Sequence, residues 1–116
     1  MDGKASEHAH QAIELASDKQ AIDILLLDIR KSNTFADFFV LLTVDNSRHM
    51  SAIAEDLGKE LTAHGARLHH QEGSADSGWI LLDFGATIIH IFAPAERTFY
   101  QLENIWSQAI PMVTIQ

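Results

Sequence analysis

Histidine and carboxylate are the chemistry-bearing side chains that this sequence supplies in quantity: 7 His and 16 Asp plus Glu in 116 residues, with no cysteine. The missing thiol removes cysteine nucleophiles, Cys-ligated zinc, iron–sulfur clusters and disulfide staples, and it fits a reducing compartment. The clustered histidines are His8-x-His10 and His69-His70 ahead of Glu72. Neither cluster repeats the His-Glu-x-x-His spacing that sets two imidazoles on one helix face, so solvated surface histidines are expected, with no metal or cofactor.

Among the carboxylates, Asp23, Asp28, Asp37, Asp45 and Asp83 lie in or beside expected strands. A two-metal phosphoryl-transfer site needs a pair that reaches ions ~4 Å apart. Asp23 and Asp28 differ by an odd number of positions and so point to opposite faces of a strand, and no Asp-x-Asp or Asp-x-Glu falls on one. The glycines form neither GxGxxG nor GxxxxGK[ST], which removes the usual phosphate-cradling loops. No G-x-S-x-G elbow occurs either, and Asp83 with His90 makes at most part of a nucleophilic triad. A cross-strand hydrogen bond between those two is the simpler expectation.

The elements that must position these groups follow from periodicity. Ala5, Ala9, Ala12, Ile13 and Ala16 mark a first helix that ends near Ser17 and Asp18. Ile22–Ile29 and Phe38–Val44 are apolar, branched runs of strand length. Asp45, Asn46 and Ser47 offer a helix cap; Met50, Ile53, Ala54, Leu57 and Leu61 form that helix's buried stripe, and Gly65 ends it. Ala66–His70 is expected as a short edge strand and Glu72–Gly78 as a loop.

Trp79–Phe84 and Thr87–Phe92 flank Gly85-Ala86, a combination that suits a two-residue type II′ hairpin. That turn sets Asp83 opposite Ile88, Leu81 opposite His90 and Trp79 opposite Phe92 on one face. Ile80, Leu82, Phe84, Ile89 and Ile91 take the other face, which is wholly apolar and expected as core. Pro94 and Glu96 open a last helix whose expected stripe is Phe99, Leu102, Ile105 and Trp106, with Tyr100 off it. Trp79 either lids the core or stands as a binding anchor. The apolar stretch Ile110–Ile115 either packs on the sheet edge or dimerises.

One domain is expected, an α/β (α+β) fold with a mixed sheet of about five strands flanked by helices. It spans 1–116, with a core at about 5–109 and a tail at 110–116. The longest apolar runs, Ile24–Leu27 and Phe38–Leu42, fall far short of the roughly 20 residues that span a bilayer. Met1–His10 lacks a signal-peptide core, so a cytoplasmic protein without membrane contact is expected. The net charge of -8 argues against affinity built on nucleic-acid phosphates and favours a basic protein partner.

Several blocks of the sequence resemble the ribosomal silencing factor family (RsfS, or Iojap): Lys19-Gln-Ala-Ile-Asp-Ile-Leu-Leu-Leu-Asp-Ile-Arg, Ala36-Asp-Phe-Phe-Val, Ser47-Arg-His, Trp79-Ile-Leu-Leu-Asp-Phe-Gly, Ile89-His-Ile-Phe and Arg97-Thr-Phe-Tyr-Gln-Leu-Glu-Asn-Ile-Trp. The likeness runs from about Ala5 to Ala109. Phe39 and Phe84 stand where the family commonly has Tyr, Val44 where Gly is usual, and Ala86 where Asp follows the hairpin glycine.

The resemblance implies a nucleotidyltransferase-like fold without that fold's active site, and a factor that is not an enzyme. Such a factor binds the large ribosomal subunit, chiefly through its fourteenth protein (L fourteen), blocks joining of the small subunit and lowers translation under nutrient limitation. It also implies a partner-binding set of Trp79, Asp83, His90, Tyr100, Leu81 and Arg48. A homodimer with no ribosomal partner is a separate possibility. The alternative is a cryptic nucleotidyltransferase-like or nucleotide-binding enzyme that uses the strand carboxylates.

Overall fold

A computed structural model describes residues 3–31, 35–104 and 110–116. Helix α1 (Gly3–Asp18) leads into strands β1 (Ile22–Asp28) and β2 (Phe38–Thr43), followed by helix α2 (Ser47–Ala63). Strands β3 (His70–Ser74), β4 (Trp79–Asp83) and β5 (Thr87–Phe92) come next, then the short helix α3 (Pro94–Tyr100), a 3₁₀ turn at Leu102–Asn104 and strand β6 (Ile110–Ile115). The six strands form one mixed sheet in the order β3-β4-β5-β2-β1-β6, with β2 and β5 parallel and the other pairs antiparallel.

Local chemistry accounts for most of these boundaries. The side chain of Asn46 accepts from the His49 amide at 2.7 Å and starts α2. Gly65, at φ +93, follows its end, a conformation that costs glycine little. Phe84 N–H donates to the Thr87 carbonyl across the hairpin, and Gly85 takes φ +86. The β4–β5 register is the expected one, with Trp79 opposite Phe92, Leu81 opposite His90 and Asp83 opposite Ile88.

Helices α1 and α2 cover one face of the sheet. The small residues Ala5, Ala9, Ala12 and Ala16 let α1 lie close on it, and the apolar stripe of α2 meets Ile80, Leu82, Ile89 and Ile91, as expected for that face. The opposite face holds a smaller cluster that includes Leu27, Ile29, Phe39, Leu41, Ile88, Phe92 and Leu102, with Trp79 and Leu81 packed half-buried against it. Strands β2 and β5 are buried along their whole length because both faces are covered there.

Three expectations need correction. The sheet has six strands rather than five, because the tail at 110–116 contributes β6, which pairs with β1. That settles the packing of Ile110–Ile115 on the sheet edge. The edge strand expected at Ala66–His70 lies instead at His70–Ser74, inside what reads as loop. Its residues are all exposed and lack apolar alternation, so pairing with β4 alone defines it. The last helix stops at Tyr100, where Gln101 turns left-handed (φ 45, ψ 50) and donates its amide to the Arg97 carbonyl. The helical stripe is thereby broken: Leu102 is buried, Phe99 is 78% exposed, and Ile105 and Trp106 lie outside the described residues.

Candidate functional site

On the second face, Trp79 at the start of β4 meets Tyr100 at the end of α3, and Trp79 and Leu81 are half-buried there. Trp79 leads β4 out of a tight Ser74–Ser77 turn, in which the Ser77 hydroxyl donates to the Ser74 carbonyl at 2.8 Å. Beside it, Gly73 takes φ +83, and a Cβ there would collide with the Trp79 carbonyl oxygen, so only glycine lets β3 approach this closely. The Trp79 ring rests 4.9 Å from Phe92 and 4.6 Å from Tyr100. It is half-buried and packs against the second cluster.

The indole N–H of Trp79 donates to His90 Nδ1 at 3.2 Å, a diagonal contact across the β4–β5 ladder. The accepting Nδ1 makes His90 the Nε2–H tautomer. The ring is 4% exposed and edge-on to Phe39 at 4.7 Å, and among the described residues its buried Nε2 has no hydrogen-bond partner. Burial lowers its pKa from 6.5 to about 3. The expected Asp83–His90 hydrogen bond is therefore absent: Asp83 Oδ1 instead accepts the Gly85 amide at 2.7 Å and holds the hairpin turn. His90 thus lies beneath the surface and contacts the face through the Trp79 indole.

Of the expected set, the fold brings together Trp79, Leu81, Asp83 and Tyr100 on one face with His90 under them. Arg48 lies apart, exposed on the first turn of α2 beside Ser74 and Asp76 on the helical side. Two site residues escape a reading of periodicity. Glu72 stands opposite Leu81 in the β3–β4 ladder, so the exposed carboxylate shares the Trp79 face. Its strand has no apolar pattern to reveal it.

The second is Arg97, whose side chain is 12% exposed. It donates to the Asp23 carbonyl at 2.7 Å and the Thr43 hydroxyl at 3.0 Å, and its Nε approaches Glu103 at 3.4 Å. Asp23 takes φ 49 within the irregular start of β1, which turns its carbonyl toward the arginine. Arg97 thus ties α3, and with it Tyr100, to the ends of β1 and β2. Arg97→Met keeps the stem and removes the fork; it is expected to lower stability by about 1–3 kcal/mol. Urea denaturation followed by circular dichroism checks this, and an unchanged midpoint would remove the latch.

Two of the carboxylates weighed as catalytic, Asp28 and Asp83, are engaged locally. Asp28 makes a forked ion pair with Arg30, with one bond at 2.9 Å, and Asp83 serves the turn. Among the described residues no three His, Asp or Glu side chains converge on a point that could hold a metal. His8 and His64 each pair with a backbone carbonyl, and His70 pairs with Glu72. Nor is any helix among them long and apolar enough to cross a membrane.

Fold and face together define a small α+β domain with a clustered aromatic surface on the sheet face opposite α1 and α2. Comparison with known proteins takes this further. The chain belongs to the ribosomal silencing factor (RsfS) family, whose model, described as "Ribosomal silencing factor during starvation", matches residues 2–116. It is 32% identical over 98 residues to the ribosomal silencing factor RsfS of Bacillus subtilis, covering 84% of this chain and 83% of that one. It is 31% identical to the chloroplastic protein Iojap of Zea mays, over 96% of this chain and 48% of the relative. The mouse protein named "Mitochondrial assembly of ribosomal large subunit protein 1" is 28% identical over 82% of this chain and 43% of its own length. A crystal structure of a Chromobacterium violaceum protein superposes with a TM-score of 0.83 at 28% identity, covering 96% of this chain and 92% of that one.

Proposed function

We propose that this protein docks on the large ribosomal subunit through the Trp79 face, chiefly against its fourteenth protein, and sterically blocks joining of the small subunit when nutrients are scarce, with no catalytic step. One observation carries the reading. Trp79, Tyr100 and Leu81 form an apolar centre bordered by Glu72 and Asp83, in a chain of net charge -8. An aromatic anchor with acidic neighbours complements a basic protein surface, while exposed RNA phosphate repels it. The family description and the large-subunit wording in the mouse relative's name point to the same particle. His90 supports this contact from below, and Arg48 stays outside it.

Added to purified subunits without nucleotide, the protein is expected to lower the joined fraction in a sucrose gradient and to sediment with large subunits alone. Binding should weaken as salt rises, since exposed charges are screened beyond about 8 Å at physiological ionic strength. Unchanged joining would end the proposal. Magnesium- and nucleotide-dependent turnover lost on changing Asp83 or Asp28 would replace it with an enzyme.

A further inference from the structure

Beside the Trp79–Tyr100 pair is an open hollow of about 290 Å³ lined by Glu72, Gly73, Ser77, Trp79, Leu81 and Tyr100. Resting on the reading that this face meets a basic protein, we propose that the hollow receives one arginine side chain of the partner. The two rings, inclined at 49°, present π faces on which a planar guanidinium stacks. Half-buried Leu81 supplies an apolar floor for the methylenes of the stem, and Gly73 adds no side chain to obstruct it. Glu72 is placed to close the site. Its carboxylate is exposed and pairs with His70 Nε2 at 2.9 Å, a contact that a forked arginine pair replaces with a stronger one.

Among the described residues, none that lines the hollow carries a positive charge. The indole N–H is turned inward onto His90, so the Trp79 ring is held before a ligand arrives and little ordering remains to be done on binding. Arginine is favoured over lysine because its flat fork meets a ring face and a carboxylate together, which a compact ammonium cannot.

The test uses the isotope-labelled full chain titrated with acetyl-arginine methylamide, its uncharged isostere acetyl-citrulline methylamide, and the lysine analogue. The readouts are the Trp79 indole N–H, told apart from that of Trp106 by a Trp106→Phe spectrum, and the Glu72 and Leu81 amides. Arginine is expected to shift these signals saturably, with citrulline and lysine weaker by about 3- to 10-fold. Tyr100→Leu and Glu72→Gln should each weaken the arginine response to a similar degree, while Tyr100→Phe preserves it. Equal binding by citrulline or lysine, or an arginine response that misses Trp79, overturns the proposal. No ribosome enters this test: its failure with subunit binding intact removes the arginine site alone, and success without subunit binding removes the ribosomal reading alone.

Discussion

Trp79→Ala is expected to weaken binding to the isolated fourteenth protein of the large subunit by 10-fold or more, at least ~1.4 kcal/mol, in a variant that still folds. The size of the loss follows from the position of the ring. Trp79 touches Phe92 below, Tyr100 beside it and His90 at its edge. Truncation therefore removes the anchor and leaves Tyr100 without the surface it leans on. The ring is half-buried on the smaller of the two clusters, so the main core between helices and sheet keeps its packing. Calorimetric titration of the variant, with circular dichroism to establish its fold, checks this; wild-type affinity in a folded variant would sink the Trp79 face as the contact.

The second large effect concerns acid. His90 is neutral in the folded protein down to about pH 3, whereas an unfolded histidine titrates near 6.5. Between those values the unfolded chain binds the extra proton, so this residue's contribution is fully present above pH 6.5 and is lost as the pH falls toward 3. The slope reaches about 1.4 kcal/mol per pH unit. Two features make the folded ring resist charge: it is buried, and its Nδ1 faces the indole N–H, a donor that imidazolium cannot accept. Urea denaturation from pH 7 to 4 is expected to show a wild-type loss exceeding that of His90→Phe by roughly 2–3 kcal/mol. The Phe variant keeps a ring of similar shape and every other titrating group, so parallel pH profiles would show that His90 is not the source.

Legibility in the sequence followed the strength of local signals. The Gly85-Ala86 turn fixed the β4–β5 register pair by pair, and the stripes of α1 and α2 named the residues that are buried. What escaped depends on contacts distant in the chain. Strand β3 has no apolar member to alternate and is held by the ladder to β4 and the close approach at Gly73. The end of α3 carries no glycine; Gln101 takes a left-handed conformation while Arg97 is tied to Asp23 and Thr43 and Leu102 is buried. Asp83 and His90 were placed correctly on one face but paired wrongly, because the hairpin turn and the indole each offered a nearer partner. The family blocks pointed to Trp79 and Tyr100, whereas only the assembled sheet set Glu72 beside them.

The pairing of β6 with β1 has a consequence for how the molecule is made. The strand nearest the start of the chain is flanked on its outer side by the strand furthest along it. During synthesis the outer edge of β1 waits with its amides and carbonyls unpaired until residues 110–115 have left the exit tunnel. Such an edge is a template for stray strand pairing. Closure comes last, at high sequence separation, where loop entropy slows folding most. A chain interrupted before Ile110 would be sticky as well as short, with the Leu25–Leu27 edge open to the next nascent chain.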